Sequence, residues 1–276
     1  MKKIISFLLI IVITSANMLF GQKSWVPISS DTPQNPIVRV VEQNASNVII
    51  DIEIPGFYYS DIERNGTIFQ NIELESWQST QDIGKPAIPM INEIIGVPSD
   101  RRVKAEIINS SSTLFSNYHI FPFQTPEKDI SGGQNDDFDY DRSFYEKSSL
   151  YPGLNITMGK PGIWRDVKIA GLHITPFIYN PTQNELEVLH KLRVRVDFFD
   201  VDTEINVNRS KNISPPIYQM YASKILNFES LGYTRNYRDN DDIKYLIITN
   251  TNPLSTIQPF VDWKNQQGFR VEVRTM

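Results

Sequence analysis

The segment from Lys244 to Met276 constrains the fold more than any other, because it spells a unit that cannot stand alone. Tyr245 to Thr249 is a continuous apolar, β-branched run, the pattern of a strand covered on both faces as in a parallel sheet. Ile257, Phe260, Val261 and Lys264 then recur at helical spacing, with Pro259 expected in the first turn and Gly268 at the C-terminal cap. Phe269 to Val273 alternates as a second strand. Strand, helix and strand with short joints make a βαβ unit, and a lone unit leaves one face of its sheet uncovered. The expectation is an α/β domain begun at residue 243, with a separate body upstream.

That body reads as strands and turns. Val38 to Val41 and Val48 to Ile54 are β-branched, the second alternating Ile50, Ile52 and Ile54 against Asp51 and Glu53. Asn65-Gly66 tolerates the positive φ of a tight hairpin, and the strand after it is expected to turn Ile68, Ile72 and Leu74 inward. Gly84-Lys-Pro86-Ala-Ile-Pro89 breaks the pattern, and Arg102 to Ile108 restarts it with Val103, Ala105 and Ile107 on one side. Asp166 to Tyr179 and Glu185 to Phe199 are expected to pair as a long hairpin about Asn180 to Asn184, the second strand turning Leu192, Val194, Val196 and Phe198 to the core. Ser214-Pro215 opens a short helix whose stripe is Ile217, Met220, Tyr221, Ile225 and Phe228, closed by Gly232.

The N-terminus indicates export. Lys2 and Lys3 precede the apolar run Ile4 to Ile13, which is too short to cross a bilayer comfortably, so no stable membrane anchor is expected. Cleavage after Ala16 or Gly21 is compatible with the pattern, and the preferred site is Gly21, leaving Gln22 as the new terminus. A net charge of -5 provides no cationic field for phosphate backbones, which argues against a nucleic-acid partner. The absence of cysteine excludes disulfides, thiolate metal sites and a cysteine nucleophile within these residues.

Phe260-Val-Asp-Trp-Lys-Asn-Gln-Gln-Gly-Phe-Arg-Val-Glu-Val273, preceded by Lys244-Tyr-Leu-Ile-Ile-Thr, resembles the opening of the catalytic domain of gingipain-like cysteine peptidases, family C25. Gly84-Lys-Pro-Ala-Ile-Pro89, Tyr151-Pro-Gly153, Arg165-Asp-Val167 and Pro176-Phe-Ile-Tyr-Asn-Pro181 resemble that family's pro-segment in order and approximate spacing. The resemblance implies a mostly β fold, an antiparallel sandwich-like pro-segment with a short C-terminal helix, followed by the first βαβ unit of a truncated caspase-like domain. The implied division is 1–21 signal peptide, 22–232 propeptide, 233–242 linker and 243–276 start of the peptidase domain. It also implies a secreted or cell-surface precursor whose pro-segment assists folding and keeps the cognate peptidase domain latent. The family's catalytic His and Cys lie beyond these residues, so no catalytic residue is assigned and the chain alone is expected to hydrolyse nothing.

Candidate sites follow. Arg235 and Arg238 in the linker are candidates for a processing cut. Gln124 to Ser149 is polar, carries paired glycines and exceeds the usual length of a structureless loop; it is read as either a disordered insertion or a segment presenting Lys128 or Arg142 to the peptidase cleft. Asp137, Asp139 and Asp141 match the first positions of a calcium loop, but Arg142 stands where Gly is needed, so a solvated acidic loop is the preferred reading and no metal is assigned. His119, His173 and His190 lack metal-ligand spacing and read as structural. No cofactor is implied. Two other functions stay open: a stand-alone secreted β-sandwich binding module, and a hydrolase using paired carboxylates, for which no spacing argues.

Overall fold

The computed structural model describes residues 23–126, 138–147, 149–201, 211–235, 244–250, 254–267 and 269–275. The strands in chain order are Ser24–Pro27 (β1), Ile37–Gln43 (β2), Asn47–Glu53 (β3), Gly56–Arg64 (β4), Thr67–Glu73 (β5), Gln78–Ser79 (β6), Pro89–Gly96 (β7), Arg101–Ser116 (β8), Ile156–Met158 (β9), Gly162–Trp164 (β10), Val167–Ile174 (β11), Phe177–Asn180 (β12), Glu185–Val201 (β13), Asn212–Ile213 (β14), Thr234–Arg235 (β15), Lys244–Thr249 (β16) and Arg270–Thr275 (β17). Three helices, Arg142–Tyr145 (α1), Pro215–Ala222 (α2) and Leu254–Gln266 (α3), and a 3₁₀ turn at Phe228–Leu231 complete the described elements.

The body is built from antiparallel sheets. In one, β8 flanks the whole of β13, whose other side takes β12 and then β3 and β2. In the second, β11 lies between β7 and the short strands β9 and β10, and β6 pairs the start of β7. A third sheet is β1, β4 and β5. Alternation fixes the inner faces. Ile50 and Ile52 of β3 and Leu192, Val194 and Val196 of β13 share one core with Ile91 and Ile95 of β7 and Leu172 and Ile174 of β11. Burying each such side chain contributes roughly 1.5–3 kcal/mol. A second cluster lies under α2, where Tyr221, Ile225, Phe228 and Leu231 pack with Val167, Ile94 and Ile169.

The structure corrects several expectations. The long hairpin exists only as β12 against Glu185 to Val188, while Val167 to Ile174 crosses to the second sheet. The switch falls at Thr175-Pro176: Pro176 has no N–H for a ladder, and the Thr175 amide donates to Asn155 O. Ile68 is 58% exposed because it sits beside the Asn65-Gly66 turn, beyond the edge of the core; Phe69 is buried on the opposite face of β5. The apolar stripe from Ile217 to Phe228 is not one helix, since α2 ends at Ala222 and Phe228 opens the 3₁₀ turn that Gly232 closes with φ 72°. In the C-terminal unit β16 and β17 are parallel, joined by α3, as expected. Pro259 is a turn deeper than expected because α3 already begins at Leu254, and Gly268 lies outside the described residues. Among the described residues one face of β16 is covered: Tyr245 packs on Phe260 and Phe269, whereas Leu246 and Ile248 are 54% and 58% exposed.

Candidate functional site

Two places concentrate the sequence-predicted residues, and the larger is the base of the Gln124 to Ser149 segment. Gln124 Nε2 donates to Pro122 O and Asp139 O, and its Oε1 accepts from the Asp139 amide at 3.0 Å. The Thr125 amide donates to Asp139 Oδ2 at 2.9 Å. Gly84 clamps both arms of this neck, its N–H on Phe123 O at 2.8 Å and its C=O accepting from the Asp141 amide at 2.9 Å. Its φ is 75°, and a Cβ there would lie 3.0 Å from Asp141 N, which explains a glycine in Gly84-Lys-Pro86. Residues 127–137, including Lys128 and Asp137, lie outside the described residues.

The neck rests on aromatic rings. His119 stacks on Phe69 at 4.3 Å, Tyr140 on Tyr145 at 4.5 Å, and Phe138 faces Phe69 and Phe121. Tyr145 Oη donates to Ile120 O at 2.7 Å, and burial raises that phenol's pKa. Burial pushes the His119 imidazole below its usual 6.5. The sequence reading missed this floor because it saw an acidic loop. The available signal was the spacing of Phe138, Tyr140, Phe144 and Tyr145 between the carboxylates.

The acidic residues have local work. Asp141 caps α1, its Oδ1 accepting from Ser143 Oγ at 2.8 Å and the Phe144 amide at 3.0 Å; these bonds, the hydroxyl first, lower its pKa. The Thr125 amide does the same for Asp139. Both carboxylates thus answer backbone amides, and among the described residues no group of three His, Cys, Asp or Glu could hold a metal ion. Arg142 opens α1 with its side chain exposed and paired to Glu146 at 2.8 Å. The histidines are separate: His173 Nδ1 meets Asn92 Oδ1 at 2.7 Å, and His190 Nδ1 is buried without a partner among the described residues.

The second place is the joint. Tyr233 to Arg235, the first residues of the expected linker, pack against the body. Tyr233 stacks on Phe228 and donates to Asp166 O at 2.6 Å, Thr234 and Arg235 pair with Asn212 and Ile213, and the Arg235 guanidinium lies 4.6 Å from the Tyr218 ring centre. Arg238 lies outside the described residues, as do Gly21 and Gln22. The body nevertheless takes hold at once after Gln22: Lys23 pairs with Glu73, and β1 runs beside β4.

A family model described as Propeptide_C25 matches residues 29–235. Gingipain R2 of Porphyromonas gingivalis (strain ATCC 33277) is 24% identical over 278 aligned positions, covering 99% of this chain and 37% of that protein. Lys-gingipain of the same strain is 22% identical over 218 positions, covering 77% of this chain and 12% of its own length. The chain therefore spans 37% of the length of the first of these relatives and 12% of the second. A solved complex of the Porphyromonas gingivalis RgpB pro- and mature domains matches with TM-score 0.61 at 20% identity, over 71% of this chain and all of that one. A structure concerning zymogenic latency of gingipain K matches with TM-score 0.56 at 17% identity, over 65% of this chain and all of that one. At these identities the structural likeness shows the fold.

Proposed function

The chain belongs to the Propeptide_C25 family, and from that premise we propose that residues 22–232 are the pro-segment of a secreted gingipain-like cysteine endopeptidase precursor. It holds the peptidase domain latent until the joint at 233–242 is cut, and residues 243–276 are the first βαβ unit of that domain. Residues 1–21 are the export signal, removed after Gly21, which suits a body that takes hold at Lys23. The product is released or displayed at the cell surface. Among the described residues no helix is long and apolar enough to cross a membrane.

One observation carries the latency reading: the neck. It pins Gln124 and Thr125 to Asp139 with hydrogen bonds and sets Phe138 on an aromatic floor, so the two ends that bracket residues 127–137 are held at a fixed base. A segment delivered that way loses less conformational freedom on entering a cleft than a free loop does. Lys128 is the favoured residue to occupy the peptidase pocket, because Arg142 is already paired with Glu146 on α1. The test is inhibition of the cognate peptidase domain by residues 22–242 added in trans. Lys128→Ala should raise the inhibition constant by about 30-fold, the effect of losing an anchor of ~2 kcal/mol, and Arg142→Ala by much less. Equal inhibition by both variants and the parent would remove the loop from the mechanism. No inhibition by the parent would favour the stand-alone binding module.

A further inference from the structure

Beside the neck, the surface is apolar and firmly anchored at once. Asp82 to Lys85 form a tight turn, the Lys85 amide donating to Asp82 O at 3.0 Å, and Gly84 supplies the positive φ that a type II turn needs at its third residue. The turn displays Ile83, which is 53% exposed and adjoins the glycine that clamps both arms of the neck. Tyr151 ties a second exposed segment to this turn. Its Oη donates to Asp82 Oδ2 at 3.1 Å, its ring centre lies 5.2 Å from that of Phe144 on α1, and its backbone exchanges hydrogen bonds with Tyr179 of β12 at 2.9 and 2.7 Å. On either side of that anchor stand Leu150, 59% exposed, and Leu154, whose carbonyl accepts from Thr175 Oγ1 at 3.3 Å. Leu154 is 72% exposed, more than any other large hydrophobic side chain among the described residues.

Single exposed aliphatic residues are ordinary, but three on anchors this fixed are the composition of a contact surface. Asp82 and Lys85 at its rim answer each other at 3.7 Å, so the surface that complements it is apolar and uncharged, as the middle of a protein interface is. The occupant follows from chain length. Both ends of residues 127–137 are held at the neck, so at about 3.3–3.6 Å per residue the segment reaches no more than ~20 Å from it. A cleft that receives the segment brings its own rim down within that distance of Ile83. We propose that Ile83, Leu150 and Leu154 form a docking ridge that seats the body on an apolar patch beside the peptidase cleft. The ridge rests on the latency reading and adds a second contact to it, separate from the side chain that enters the pocket. Because its anchors are already rigid, little conformational freedom is lost when it docks.

The test is inhibition of the active cognate peptidase by the full chain added in trans. Ile83→Asp, Leu150→Asp and Leu154→Asp should each raise the inhibition constant at least tenfold, and Leu150→Ser, which removes apolar area without adding charge, should act in the same direction. The three side chains are exposed, so the melting temperatures should match the parent's, which separates lost docking from lost folding. Combined with Lys128→Ala, Leu150→Asp should still cost its full factor, since the ridge acts outside the pocket. Failure of the parent chain to inhibit would remove the latency reading and this partner with it. A parent that inhibits, with all three aspartate variants inhibiting equally well, would overturn the ridge alone.

Discussion

Replacing Asn227 by Ala should destabilise the body more than any other single polar change among the described residues. Asn227 is 1% exposed, its Oδ1 accepting from Gly96 N at 2.7 Å and its Nδ2 donating to Gly96 O at 2.9 Å. One residue earlier, the Leu226 amide donates to Ile94 O at 2.9 Å, so the chain entering the 3₁₀ turn acts as a strand along the edge of β7 and the Asn227 amide stands in for its next peptide. Gly96 permits this approach, because a Cβ there would fall 2.5 Å from Leu231 Cδ1. Alanine leaves both polar groups of the buried Gly96 backbone unpaired, at about 1–3 kcal/mol each, for a loss of roughly 3–5 kcal/mol. For a body of this size each kcal/mol moves Tm by about 2–4 °C, so the melting temperature should fall by roughly 6–20 °C. Urea unfolding followed by tryptophan fluorescence measures the free energy. Asn227→Asp keeps the acceptor and loses the donor, and should lie near the alanine variant; Ser230→Ala should lose only about 1 kcal/mol. An Asn227→Ala variant within 1 kcal/mol of the parent would refute the idea that the side chain completes β7.

Tyr145→Phe removes the bond to Ile120 O while keeping the ring in its stack, and should destabilise the neck by about 1–2 kcal/mol in urea unfolding. Burial keeps His119 neutral, so the unfolded chain takes up its proton first; this contribution is full above pH 6.5 and declines as pH falls below it, and His119→Phe should flatten the stability profile there. Gly84→Ala strains a φ of 75° and crowds the Asp141 amide, so amide exchange at Asp141 and Phe123 should accelerate before the global Tm moves much. Because Arg235 is held over Tyr218 and paired through β15, maturation should cut after Arg238; Arg238→Ala should block the new N-terminus found by sequencing, and Arg235→Ala should not.

The elements legible in the sequence are those whose partners impose a simple period. β3 and β13 alternate cleanly because one face meets the core and the other water, and Asn65 and Gly66 take φ values of 52° and 75° as their residue types allow. The C-terminal unit was legible too, since its helix and strands are local. β7 was not: Ile91 and Ile95 face the main core while Ile94 faces the cluster under α2, and burial on both sides erases the period. The second half of β8, from Asn109 to Ser116, is held as strand by its ladder to β13 rather than by its own serine-rich composition. The crossing of β11 to the other sheet is a non-local choice that no window along the chain contains. At the candidate site, composition concealed the structure, since Asp139 and Asp141, two of the three carboxylates that suggested a solvated loop or calcium, tie and cap the neck.

The two parts of the chain also differ in how completely they answer their own apolar surface. In the body, both faces of the second sheet are occupied, one by the main core and the other by α2 and the 3₁₀ turn. In the C-terminal unit, Lys264 Nζ lies within 5.6 Å of the ring centres of Tyr245, Phe260, Trp263 and Phe269, gathering α3 and both strands on one side, while Leu246 and Ile248 point away from that cluster into solvent. Adjacent exposed aliphatic residues on a two-stranded parallel sheet are the pattern that neighbouring elements cover in an α/β domain. A body whose apolar clusters close among residues 23–235 would survive the proposed cut in the joint, because severing the chain there leaves its core undisturbed.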